Sequence, residues 1–146
     1  MNVVPGHVDP QREAFEAFKA LPRDTAIEML NLIRLRAEAA YPDGRKATGA
    51  EAYAAYARES GPIFTRLGGT QVWIGRPQVT LIGPADEAWD IAFIARYPDA
   101  GAFLAMVTDA DYRRAVVHRQ AAVADSRLIR MLPARAGARF GETTDS

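Results

Sequence analysis

Two adjacent residues, His118 and Arg119, offer the clearest chemistry in this sequence. An imidazole titrates near neutral pH and moves a proton or donates a ligand atom. A guanidinium presents paired donors to a carboxylate or phosphate. His118 is the only histidine within the part of the chain expected to fold, because His7 falls in a short N-terminal segment without periodicity. On a helix from about Ala110 to Ala124, the residues Tyr112, Ala115, Val116, Ala122 and Val123 form an apolar stripe. Arg119 falls in the middle of that stripe, and His118 lies beside it. A charge so placed needs a partner or a path to water. Two readings stay open. In one, His118 is a general base or ligand donor and Arg119 an anion clamp. In the other, Arg119 orders the helix by snorkelling or ion pairing, with His118 hydrogen-bonded nearby.

Asn31 stands in an otherwise apolar parity set, so its amide must be satisfied inside a core. It either orients a ligand or bonds to His118 or Arg119. Glu28, Arg34, Asp90, Arg96 and Arg130 fall together on one face of the expected sheet. They pair across a two-fold interface, or else Arg34 and Arg96 hold a small carboxylate while neighbouring leucines hold its apolar part. Trp73, Trp89 and Tyr97 read as core residues.

Other chemistries find no support. Cysteine is absent, which removes disulfides, thiolate nucleophiles and cysteine metal sites. One central histidine does not make a multi-histidine metal site, so no metal and no cofactor are expected. His118 alone does not argue for haem. There is no G-x-S-x-G, P-loop or Rossmann fingerprint, and Gly68-Gly69 reads as a helix stop.

The elements that must position these groups follow from pattern. Residues 1–8 are irregular. Asp9-Pro10 looks like a helix start, with Asp9 as N-cap, and Ala14, Phe15, Phe18 and Leu21 share a face of a lid-like helix over 9–21. Thr25 to Arg36 alternates with period two: Ile27, Met29, Asn31, Ile33 and Leu35 against Glu28, Leu30, Leu32, Arg34 and Arg36. Thr48 and Glu51 have capping-box spacing. The helix they open carries Tyr53, Tyr56, Ala57 and Ser60 on one stripe, and Gly61-Pro62 is expected to interrupt it. Thr70–Gly75 and Gln78–Ile82 read as strands around a Gly75-Arg76-Pro77 bend, followed by a strand over Ala88–Tyr97. Asp99 opens a helix that breaks near Thr108-Asp109, and Ser126–Leu132 is the last strand. Residues 134–146 form a tail with little to bury, expected to be mobile or to lie across a partner.

The resulting order is an extra helix, then βαββαβ, which is the ferredoxin-like arrangement of a four-stranded antiparallel sheet with helices on one face. It makes one domain over 9–133. Composition agrees with a globular chain: 146 residues, 49% hydrophobic, 25% charged, and 18 basic against 18 acidic side chains. A net charge of zero leaves no basic footprint for nucleic acid and no polybasic anchor for a membrane. With no leader or spanning segment in view, a cytoplasmic protein is expected.

Faces then argue for a partner. In the strand Ala88–Tyr97, the set Trp89, Ile91, Phe93, Ala95, Tyr97 is apolar and should meet the helices. The opposite set, Asp90, Ala92, Ile94 and Arg96, joins Leu30, Leu32 and Arg34, and Leu128 and Arg130 of the last strand. Leu30, Leu32, Ile94 and Leu128 would then stand in water. Burying them is worth roughly 1.5–3 kcal/mol each, about 6–12 kcal/mol in all, against about 5–15 kcal/mol for a whole domain. A symmetric homodimer packed sheet on sheet is expected.

The run WDIAFIARYPDAGAFLAM, with Tyr112, His118-Arg119, ADSRLI and the first strand MLNLIRLR, resembles the bacterial family called domain of unknown function 1330 (DUF1330) over about Thr25 to Pro133. That resemblance implies a member of the dimeric α/β-barrel superfamily, which includes cofactor-free monooxygenases, small-ring isomerases and haem enzymes such as chlorite dismutases. Fold alone does not choose among them. The expectation is a homodimer binding a small, partly apolar metabolite, anionic or neutral, with cofactor-free proton transfer or oxygenation as its chemistry and His118 as base. The alternative is a non-catalytic binding or interaction module whose charges stabilise the dimer.

Overall fold

The structure is a computed structural model and describes residues 6–142. The expectations for residues 1–5 and 143–146 lie outside the described residues.

Alternation along the first strand organises the fold. In β1 (Ile27–Leu35), Ile27, Met29, Asn31 and Ile33 are buried and the residues between them are half-buried. β1 pairs antiparallel with β3 (Ile91–Tyr97) on one side and β4 (Val123–Met131) on the other, and β2 (Thr70–Gly75) completes the order β2-β3-β1-β4. Helix α2 (Gly49–Arg66) and the pair α3 (Ala100–Thr108) and α4 (Ala110–Ala122) make the two crossovers. A preceding helix, α1 (Arg12–Ala20), adds to this ferredoxin-like α+β fold. One core cluster joins Ile27, Met29, Ala95 and Tyr97 of the sheet to Ile63, Phe103 and Met106 of the helices. A second joins Ile33 and Val123 to Tyr41, Ala52, Ala121 and Ala122. Both lie on the same sheet face, so the parity assigned to β1 and to Ile91–Tyr97 holds.

Local chemistry places the helix ends. Thr48 Oγ1 accepts from the Glu51 amide at 3.0 Å, and Glu51 Oε1 accepts from the Thr48 amide at 2.8 Å, completing the capping box. Gly68, at φ +88°, ends the turn after α2 in a conformation that L side chains resist. Asp109 both follows α3 and caps α4, its Oδ1 accepting from the Asp111 and Tyr112 amides, which accounts for the break.

Several expectations are corrected. α1 starts at Arg12 rather than at Pro10: Asp9 does not cap it, and its Oδ1 accepts from Gln120 Nε2 at 3.1 Å. α2 runs unbroken through Gly61-Pro62. Pro62 and Arg58, whose carbonyl loses its amide partner, are both exposed, so the missing hydrogen bond falls on the solvent side of the helix. Gln78–Ile82 is no strand, and β3 begins at Ile91, not Ala88. Trp73 is 51% exposed, and Trp89 lies under the Arg127 guanidinium, 5.1 Å from its ring. Neither is core, whereas Tyr97 is.

The last strand has the opposite facing from that expected. Register sets Asn31 against Leu128 and Met29 against Arg130, so Leu128 and Arg130 lie on the helix side. Ile129 and Arg127 take the outer face. Trp73, Ile94, Leu30 and Ile129 are direct register partners and form an apolar row across all four strands on that face. Among the described residues, no helix is long and apolar enough to cross a membrane.

Candidate functional site

A cleft of about 1420 Å³ opens between α1, the helix-facing side of the sheet and the helices α2, α3 and α4. Its walls are mainly apolar, with a group of aromatic side chains among them. Phe18 of α1 meets Phe103 at 5.0 Å between ring centroids, and Tyr97 meets Phe103 edge-on at 5.4 Å. From α2 and α4, the Tyr56 and Tyr112 hydroxyls hydrogen-bond at 2.9 Å. Burial pushes the phenols of Tyr53 and Tyr112 well above the ordinary tyrosine range, so both stay neutral hydrogen-bond donors at physiological pH.

Arg119 brings a positive charge into the cleft from the middle of the α4 stripe. Its Nη1 donates to the Val8 carbonyl, and its Nη2 donates to Ser126 Oγ at 3.2 Å. Ser126 Oγ in turn donates to the His7 carbonyl at 2.7 Å, and the His7 amide donates to Asp125 Oδ1 at 2.8 Å. The segment containing His7 is therefore tied along β4 rather than loose. Among the described residues, no carboxylate lies within 4.0 Å of the Arg119 guanidinium. Its two bonds use two of the five donors a guanidinium carries. The result is a half-buried cation in an aromatic cleft, satisfied only by neutral oxygens.

Asn31 also lines the cleft. Its Nδ2 donates to the Met29 carbonyl at 3.1 Å, and it meets neither His118 nor Arg119. Arg130 reaches α1 from the far end of the cleft, donating to the Phe18 carbonyl at 3.1 Å and the Pro22 carbonyl at 2.6 Å, with its guanidinium over the Phe18 ring. Arg119 thus holds the segment leading into α1 and Arg130 its C-terminal end, around a helix with no fully buried residue of its own.

The other expected site residues are not gathered here. His118 does not line the cleft; it faces Tyr41 and Glu59. Its Nδ1 lies 2.6 Å from the Tyr41 hydroxyl and its Nε2 lies 2.8 Å from Glu59 Oε2. Arg34 and Arg96 form no shared cationic pocket. Arg34 Nη1 donates to the Asp86 carbonyl at 2.9 Å and Nη2 is 3.6 Å from Asp125, while Arg96 is 3.6 Å from Glu28, its register partner. Asp90 Oδ2 accepts from the Leu35 amide at 2.7 Å at the margin of a separate, shallow cleft. Arg34 and Arg96 thus each lie near a carboxylate of their own chain, and Asp90 is held by a backbone amide. Pattern missed Tyr56, Ser126 and Arg130 as cleft residues; the Tyr53/Tyr56 stripe on α2 was the available signal.

Comparison with known proteins places the chain. The family model "Domain of unknown function (DUF1330)" matches residues 45–131. A crystal structure of the methylated RPA0582 protein is 58% identical, with a TM-score of 0.88, covering 92% of this chain and 100% of that one. Another, of the RPA0582 protein of unknown function from Rhodopseudomonas palustris, is 59% identical, with a TM-score of 0.85, covering 89% and 98%. SnoaB, a cofactor-independent oxygenase from Streptomyces nogalater, is 16% identical with a TM-score of 0.51, covering 79% and 99%, a likeness of fold alone. Nothing among curated proteins matches. The chain belongs to the DUF1330 family.

Proposed function

We propose that this DUF1330 member is a homodimer, paired through the outer sheet face, that binds a small, largely apolar organic anion in the cleft under α1. One observation carries the reading: Arg119 holds a positive charge among aromatic side chains with no carboxylate beside it. Removing a guanidinium from water without a counter-ion is costly. An incoming carboxylate offsets that cost through donors the side chain has left over. The rings of Phe18, Phe103 and Tyr112 take the apolar part, and Asn31 supplies a second polar contact.

In this reading His118 is a structural residue, tying α4 to Tyr41 and to Glu59 of α2. Cofactor-free proton transfer or oxygenation would rest on the groups that touch the ligand, Tyr112, Tyr53 and Asn31. Buried phenols held neutral donate hydrogen bonds toward an anion and keep their protons.

A thermal-shift panel of aryl and alkyl carboxylates, each beside its matched primary alcohol, tests the proposal. Carboxylates should raise the melting temperature of the wild type, and their alcohols should not. Arg119→Met, which keeps the apolar stem and removes the charge, should weaken carboxylate binding about 10- to 100-fold. Alcohols binding as well as carboxylates, or no carboxylate binding at all, would overturn it.

A further inference from the structure

We infer that residues 76–88, the arm joining β2 to β3, clasp a second copy of this chain. The inference rests on the paired-sheet dimer proposed above and adds the element that secures it.

The arm has a pinned root and an uncovered tip. At the root, the Asp86 carbonyl accepts from Arg34 Nη1 at 2.9 Å, Glu87 lies 2.9 Å from Arg127 Nη2, and Trp89 lies beneath the same Arg127 guanidinium. Arg34 and Arg127 both belong to the outer face of the sheet, so the arm is anchored on that side. Its bend is also formed, with the Glu87 amide donating to the Pro84 carbonyl at 3.1 Å and Thr80 Oγ1 donating to the Glu87 carbonyl at 3.3 Å. Yet Val79, Leu81 and Ile82 are 83%, 90% and 92% exposed. A shaped segment carrying three aliphatic side chains and covering nothing in its own chain is built to meet another surface.

Area and symmetry select a second copy. Fully exposed aliphatic side chains offer roughly 60–120 Å² each by the transfer scale. Adding the half-exposed Trp73, Val72 and Ile129 of the sheet brings the apolar total to roughly 450 Å². Ordinary interfaces are about 57% apolar, so this corresponds to about 800 Å² per partner, the size of a stable interface. The sheet row alone falls well short of it. In a two-fold pair each arm lies across the other copy's outer face, so one patch serves both sides. Because the root is already pinned, little ordering entropy opposes the contact.

Sedimentation equilibrium on the whole protein tests this. The wild type should sediment at twice 15.9 kDa. Val79→Ser/Leu81→Ser/Ile82→Ser should raise the dissociation constant at least tenfold with an unchanged far-UV circular dichroism spectrum, since the three side chains lie outside the core. Arg34→Ala, which removes one of the root's three contacts, should raise it less. A wild type at the single-chain mass would overturn the dimer and the arm together. A wild-type dimer with an unchanged dissociation constant in the triple variant would overturn the arm alone and leave the paired sheets standing.

Discussion

Replacing His118 by alanine separates a structural histidine from a chemical one. The imidazole bridges two elements: Nδ1 to the Tyr41 hydroxyl at 2.6 Å and Nε2 to Glu59 of α2 at 2.8 Å. A neutral ring protonated at Nε2 satisfies both contacts, donating to the carboxylate and accepting from the phenol. Tyr41 is 8% exposed and belongs to the core cluster around Ile33 and Val123. His118→Ala leaves that hydroxyl without its partner, a cost of about 1–3 kcal/mol. The lost contact to Glu59, half in solvent, adds up to about 1 kcal/mol. A total of about 1–4 kcal/mol corresponds to a melting temperature lower by roughly 3–13 °C for a chain of this size. Urea denaturation monitored by circular dichroism measures it. Tyr41→Phe should remove most of the same energy, and the double variant should cost much less than the sum of the two. Unchanged stability in His118→Ala, together with loss of carboxylate binding, would refute the structural assignment and return His118 to the chemistry.

Thr48→Ala should cost about 1 kcal/mol by opening the capping box of α2, read as a shift in the urea midpoint. Burial acts to raise the Asp125 carboxyl, but hydrogen bonds from the His7 amide and the Arg127 guanidinium outweigh it and hold the group below the usual carboxylate range. Its stabilisation is therefore complete above about pH 4 and is lost as pH falls through the lowered value. Asp125→Asn should flatten the acid limb of a stability–pH curve. Burial raises the phenols of Tyr53, Tyr97 and Tyr112. Stability should accordingly decline once pH passes about 10, where the unfolded chain begins to ionise. In an ultraviolet titration these three should resist ionisation until the protein unfolds.

Signals confined to a few residues were legible in the sequence. Thr48 with Glu51, Asp99, and Asp109 after Thr108 each fix a helix end through bonds to their own neighbours. The faces of β1 and β3 were legible because one parity of each is almost wholly apolar. β4 was not: Ser126, Leu128, Arg130 and Arg127, Ile129, Met131 each mix a charge with aliphatics, so only pairing with β1 decides the facing. Gln78–Ile82 has strand composition but no strand beside it within the chain. For the cleft, the stripe on α4 exposed Arg119, a residue whose placement is set within one helix. The neighbours of His118 come from sequence separations of 59 and 77 residues, beyond the reach of periodicity.

The most direct test of the central claim is a crystal structure of the protein soaked with a carboxylate that passes the thermal-shift panel. A carboxylate oxygen about 2.7–2.9 Å from an Arg119 nitrogen, with the apolar part against Phe18 and Phe103, is the result expected. An anion bound outside the cleft, or inside it without touching Arg119, would contradict it.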